Sequence, residues 1–264
     1  MLASADAGAY RGNGTSEDMM QRTLDYTAVW NDAVALLRAH KEAVIAIAGL
    51  LIFLPSWINS YLVGEPDIDG LTSAPAIIKA FEAHFVANWM VILPATLVTM
   101  FGAFALYILL VRTDLPRVGD ALTSAISLFA LYFLISILAG ICTFLGFMAF
   151  ILPGLYISAR LVTLPSVVAS GSFPGIAAPI KRAWEMTQGV GWATFFLTLI
   201  VVGVGSITVL VAGLVFGLLF KLLGNSEVTK LLETGFDALL SAGLSALMIA
   251  LAVAIYRHLK AQDI

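Results

Sequence analysis

The sequence predicts an all-α fold, a polytopic membrane helix bundle with six transmembrane helices and amphipathic interfacial helices. Hydrophobic residues make up 60% of the 264 residues and charged residues only 12%, whereas a soluble domain is about 25% charged. The apolar residues lie in stretches long enough to cross a bilayer, which takes roughly 20 residues. Because hydrocarbon offers no partner to a backbone amide, such stretches are expected to be helices.

The spans are predicted from runs that lack charge. A single long run from 121 to 170 contains one charge, Arg160, and it is too long for one crossing. Leu152-Pro153-Gly154 supplies a break within it, because proline cannot continue a helix and glycine permits a turn. The expected spans are 43–63, 89–111, 121–149, 153–170, 192–220 and 236–256.

Acidic residues in the first 42 positions, such as Glu17 and Asp18, argue against a cleaved secretory signal. We expect a flexible cytoplasmic arm at 1–22, a membrane domain at 23–260 and a cytoplasmic tail at 261–264.

Lysine and arginine are distributed unequally between the two sides. The arm, the tail and the connections after spans two and four hold ten of them, and the opposite side holds Lys79, Lys221 and Lys230. The positive-inside rule then places both termini in the cytoplasm of a bacterial inner membrane.

Amphipathic segments precede three of the spans. Ile176, Ile180, Ala183, Trp184 and Thr187 form one apolar stripe, with Lys181, Arg182, Glu185 and Gln188 on the other face. Trp30, Ala33, Val34 and Leu37 form a similar stripe before the first span, and 115–125 precedes the third. We expect surface-lying helices, with Trp30, Trp184, Lys181 and Arg182 at the membrane interface.

The three amphipathic segments have two interpretations. One is three repeated units, each a surface helix followed by a transmembrane hairpin, and the other is chance patterning. Pro116 and Pro174 suit a first helical turn, whereas Pro179 suggests that the third surface helix begins there.

Arg160 is the exception to the apolar character of the spans. It follows Pro153 by seven residues, which predicts a depth of about 10 Å below the outer surface. Asp237 is the partner expected from depth, and Tyr156, Arg160 and Asp237 are the candidate contacts for a lipid headgroup or solute. The alternatives are an ion pair that holds two helices together, or an Arg160 side chain that reaches the headgroups.

Other chemistry is not indicated. The three histidines are far apart, Cys142 is a lone thiol, and no nucleophile or phosphate-loop motif occurs. We therefore expect no enzyme activity, cofactor or metal, and the charge of −3 does not favour nucleic acid. Gly213 and Gly217 have the Gly-x-x-x-Gly spacing, which serves internal packing or self-association.

Three groups of residues resemble motifs of a known family. They are Pro153-Gly-Leu-Tyr156 with Arg160, Arg182-Ala-Trp-Glu185 with Thr187 and Gly189, and Tyr256 with Leu259. The chain resembles the membrane region of glycerophosphoryl diester phosphodiesterase membrane-domain proteins and YciC-type inner-membrane proteins. The resemblance implies a membrane protein without the soluble phosphodiesterase domain. The preferred function is a non-catalytic envelope protein that associates with membrane lipids; the alternative is a transporter or permease with a polar site around Arg160. Protein partners are not indicated.

Overall fold

The computed structural model describes residues 23–112, 117–171, 173, 175–222, 224 and 226–262, so the predicted arm at 1–22 lies outside the described residues. The helices in this part of the chain are α1 (Tyr26–Ala39), α2 (Lys41–Ala48), α3 (Leu54–Leu62), α4 (Ala74–Val111), α5 (Val118–Ala149), α6 (Ile151–Arg160), α7 (Leu164–Ser170), α8 (Ala177–Met186), α9 (Gly191–Lys221) and α10 (Glu227–Ala261), with a π-helical turn at Gly49–Phe53 joining α2 to α3.

The prediction of six membrane spans is confirmed, and the chain is an integral membrane protein. The spans are Lys41–Leu62, α4, α5, Ile151–Ser170, α9 and α10, all long and apolar enough to cross a bilayer. Several extend beyond the predicted limits. At 38 residues, α4 is about 57 Å long, which exceeds the roughly 30 Å hydrocarbon core. Its first 15 residues, 74–88, are predicted as a loop because they contain charges, although Pro75 suits the first turn of a helix.

Both ends of the described chain lie on the same side of the molecule. The Gln262 side-chain amide donates a 2.9 Å hydrogen bond to the Thr23 carbonyl, and α1 packs along α10. We call this side the terminal face, and the opposite side, which carries the connection at 63–73, the loop face. Neighbouring spans contact one another in sequence order, and α10 closes the ring against α3.

The fully buried core lies toward the terminal face. It includes Phe104, Ala105, Leu106, Ile108, Leu109 and Leu110 in the last turns of α4 and the stretch Ile249–Ile255 of α10. Phe104 of α4 stacks on Tyr132 of α5 with ring centroids 4.1 Å apart. Most large apolar side chains of α9 are exposed on the protein surface, and in a bilayer that surface faces lipid.

The long apolar run is split as predicted, with α5 ending at Ala149, but Phe150 makes the break and not Leu152-Pro153-Gly154. Phe150 has extended backbone angles and separates α5 from α6. Pro153 and Gly154 fall in the first turn of α6, where the missing proline N–H leaves no helical hydrogen bond unmade. Gly146 and Gly154 allow the two helices to cross closely, because a Cβ on Gly146 would lie 2.9 Å from the Gly154 Cα.

Short helices outside the spans precede two of the three hairpins among the described residues. They are α1 and α8, whereas α5 begins at Val118 and continues without interruption into the third span. The predicted surface helix at 115–125 is therefore wrong from Val118 onward. Pro116 and Pro174 lie outside the described residues. Pro179 occupies the third position of α8, where proline is tolerated, so the helix begins two residues before the predicted start.

Candidate functional site

Arg160 ends α6 and is enclosed by the connection between α8 and α9. Its side chain is buried, with 7% exposure. Its Nε donates to the Thr187 hydroxyl at 2.8 Å, Nη1 to the Tyr156 hydroxyl at 3.2 Å and Nη2 to the Trp184 carbonyl at 2.5 Å. The guanidinium also lies 4.1 Å from the centroid of the Trp184 ring. Every guanidinium nitrogen thus has a neutral partner, and the ring face adds cation–π attraction.

The first turn of α9 completes this enclosure. Gly191 lies so close that a Cβ there would be 2.7 Å from the Tyr156 hydroxyl and 2.8 Å from the Arg160 Cδ. Thr187 is fully buried, and its hydroxyl is also within hydrogen-bond distance of the Ala183 and Trp184 carbonyls. Arg160 therefore holds α6 against the α8–α9 connection.

The predicted pairing of Arg160 with Asp237 is wrong. Asp237 lies against α9 near the loop face, where a Cβ on Gly213 would be 2.9 Å from its Oδ1. The predicted depth of Arg160 is also wrong, because its partners belong to the terminal-face connection. The expected partner followed from depth alone, but two hydroxyls, a carbonyl and an indole ring supply the contacts. Among the predicted contact residues, Tyr156 alone lies with Arg160.

Gly213 and Gly217 make room for acidic side chains of the neighbouring span. A Cβ on Gly217 would lie 3.2 Å from the Glu233 Oε1. The face that carries both glycines thus contacts α10 of the same chain, as the internal-packing interpretation expects. Self-association through these glycines stays a prediction.

Two more arginines bind helix ends through contacts that no sequence pattern indicates. Arg112 Nε donates to the Ala169 carbonyl at 2.8 Å, and Arg257 Nη2 donates to the Leu110 carbonyl. Ala169 and Leu110 lie in the last turns of α7 and α4, and Trp184 lies in the last turn of α8. Carbonyls of a last turn lack helical partners and attract positive charge. All three arginines therefore satisfy helix C-termini at or near the terminal face.

A cleft between α8 and the end of α10 is lined by four charged residues. It encloses about 450 Å³, and we call it the terminal cleft. Lys181, Arg182 and Lys260 supply three positive charges to its wall and Glu185 one negative charge, while its floor is apolar, from Val167, Phe173 and Met186. Lys181 approaches Glu185 at 3.7 Å, an exposed pair of the kind that contributes little stability.

The predicted polar face of α8 is confirmed, whereas its apolar stripe is confirmed only in part, because Ile176 and Trp184 are 41% and 40% exposed. Ala183 and Thr187 are buried, whereas Lys181, Arg182, Glu185 and Gln188 are exposed. In α1 the buried stripe is Val29, Ala33 and Leu36, which is turned from the predicted stripe because the helix packs against α10. Trp30 is instead 40% exposed.

Trp30 and Tyr26 lie at the end of an apolar groove between α9 and α10. The groove encloses about 660 Å³ and includes Leu197, Val204 and Leu247. It opens on the outer surface of the spans, where acyl chains surround the protein.

Within the described part of the chain, no group of three His, Cys, Asp or Glu side chains could hold a metal ion. No protein-family model matches the chain, and no curated protein or solved structure is significantly similar to it.

Proposed function

We propose that this protein is a non-catalytic component of the bacterial inner membrane that binds anionic phospholipids at its terminal face, with both termini in the cytoplasm. The terminal cleft is the observation that carries the proposal. Three cations over an apolar floor suit a lipid headgroup, because phosphate contacts the charges while the glycerol and upper acyl region contact the floor. We also propose that the chain is related to the glycerophosphoryl diester phosphodiesterase membrane-domain family.

The distribution of charge supports the orientation. Among the described residues, the terminal face carries Arg38, Lys41, Arg112, Arg117, Lys181, Arg182, Arg257 and Lys260, and the loop face carries Lys79, Lys221 and Lys230. This excess favours a cytoplasmic terminal face. The cytoplasmic leaflet is also the one rich in anionic lipid, so orientation and lipid preference agree.

Transport through a polar site around Arg160 was the alternative. The guanidinium is buried and all three of its nitrogens already donate to protein groups. These contacts favour a structural role for Arg160.

Lipid retention tests the proposal. Purified protein is equilibrated with mixed phosphatidylglycerol and phosphatidylcholine, and bound lipids are counted by native mass spectrometry. Each lysine near an anionic surface contributes about 1 kcal/mol, so Lys181→Ala/Lys260→Ala should weaken phosphatidylglycerol binding by roughly thirtyfold. The control, Lys221→Ala/Lys230→Ala, removes the same charge from the loop face and should leave binding unchanged. Equal losses in both variants would contradict the proposal.

A further inference from the structure

The first two spans cross at a glycine and leave a crevice between them on the loop-face side. At the crossing, a Cβ on Gly102 would lie 2.5 Å from the Leu51 Cβ and 3.0 Å from the Leu51 carbonyl oxygen. Beyond it a cavity of about 400 Å³ opens between α3 and α4. Its lining residues are uncharged, namely Ser56, Asn59, Ala95, Thr96, Thr99 and Met100, with Ala103 nearest the crossing.

Polar side chains from both helices converge on this crevice. Ser56 and Asn59 come from α3, and Thr96 and Thr99 from α4. The Thr96 hydroxyl donates to the Ile92 carbonyl of its own helix at 2.8 Å. Asn59 Oδ1, by contrast, is buried and has no hydrogen-bond partner among the described residues. The crevice therefore contains hydrogen-bonding capacity that the surrounding helices do not use.

The depth of the crevice makes this capacity significant. Thr99 lies about 18 Å along α4 from its end at Val111, which is beyond the middle of a 30 Å hydrocarbon core. The unsatisfied Asn59 Oδ1 lies nearer the loop face, about 5 Å from the end of α3 at Leu62, and burying it without a hydrogen bond is unfavourable. A hydrogen-bonding occupant removes this cost, whereas an acyl chain does not.

Irregular backbone surrounds the same site. The π-helical turn Gly49–Phe53 precedes it in the first span, followed by Pro55, and Pro94 interrupts the hydrogen bonding of α4. Single π-helical turns occur frequently at functional sites. Helix interruptions near the middle of a membrane are also where solute sites are found in transporters.

We propose that the crevice between α3 and α4 is a binding site for a small uncharged solute with several hydroxyl groups, which enters from the loop face. Hydroxyl and amide side chains recognise such a molecule without charge, and the absence of ionised groups from the crevice lining gives no attraction to an ion. This site is separate from the terminal cleft and does not depend on lipid binding there.

Cysteine accessibility tests the proposal in the reconstituted full-length protein. The exposed Cys142 is first changed to serine. Thr99→Cys then places a thiol in the crevice. Val98→Cys is the matched control, because it lies one residue away on the apolar outer side of the same helix pair, beside Leu54 and Pro55. A charged methanethiosulfonate reagent reports water contact, since only a thiolate reacts.

Thr99→Cys should react at least about tenfold faster than Val98→Cys, because thiolates form only where water reaches them. Xylitol should slow the reaction at Thr99→Cys, whereas sodium chloride of equal osmolality should not. Asn59→Leu should abolish the protection by xylitol. Ser56→Cys, on the other helix, is a second reporter if Thr99→Cys does not fold.

Two results would overturn the proposal. Equal, slow reaction at Thr99→Cys and Val98→Cys would mean that acyl chains fill the crevice. Fast reaction without protection by xylitol would mean that the crevice holds water only.

Discussion

Arginine side chains connect the helices of the terminal face at the level of single hydrogen bonds. Arg112, Arg160 and Arg257 each donate to a carbonyl in the last turn of a different helix. A hydrogen bond to a charged donor contributes about 1.5–3 kcal/mol, and it contributes most where water is excluded. The same residues that indicate orientation by their charge therefore also stabilise the fold.

Replacement of Arg160 tests this role. Arg160→Ala removes three charged hydrogen bonds and the contact with Trp184, so we expect a loss of about 3 kcal/mol or more in the free energy of unfolding. Arg160→Lys keeps the charge but loses the forked geometry of the guanidinium, so it should recover only part of the lost stability. Thermal unfolding in detergent measures the change, with the exposed Arg38→Ala as control.

A functional role for Arg160 would give a different pattern. In that case Arg160→Ala would keep its unfolding temperature and cellular abundance but fail to complement a deletion strain. Unchanged stability of Arg160→Ala would contradict the structural assignment.

At the level of helices, glycine residues determine how closely neighbouring spans approach each other. Gly102 brings α4 against the backbone of the first span at Leu51, and Gly146 brings α5 against α6 at Gly154. Gly140, on the same helix as Gly146, has open space where a Cβ would lie. Comparing alanine substitutions at Gly102 and Gly140 therefore distinguishes the effect of helix contact on stability from the effect of helix propensity.

Gly102→Ala should destabilise the protein by about 1–3 kcal/mol, because the added methyl group overlaps the Leu51 side chain. Gly140→Ala should instead be neutral or stabilising by up to about 1 kcal/mol, since alanine favours the helix. Thermal unfolding of both variants measures the difference. A Gly102→Ala variant as stable as Gly140→Ala would show that the two spans do not cross at this residue.

The sequence was sufficient for elements that depend on apolar run length and insufficient for those that depend on tertiary partners. Six spans follow from hydropathy, and the exposed charged face of α8 follows from periodicity. The start of α4 at Ala74 was misplaced, and the break at Phe150 was assigned to Pro153 and Gly154, because hydropathy does not register which residue leaves the helical conformation. The partners of Arg160 were missed because Trp184 and Thr187 are 24 and 27 residues away. The crevice was missed because two helices with sparse polar residues form it jointly.

The whole molecule differs between its two faces. At the terminal face, α1, α7 and the ends of α4 and α10 surround the buried core, and the arginines join the helix ends. Toward the loop face the first two spans separate around a polar crevice. This asymmetry places the proposed lipid contacts and the proposed solute site on opposite sides of the protein.

Labelling of single cysteines in spheroplasts tests the orientation of the six spans most directly. In a Cys142→Ser background, a membrane-impermeant maleimide should label Asp69→Cys on the loop face in intact cells. Arg38→Cys on the terminal face should be labelled only after lysis. Labelling of Arg38→Cys in intact cells, or protection of Asp69→Cys until lysis, would contradict the cytoplasmic terminal face and the lipid-binding role that depends on it.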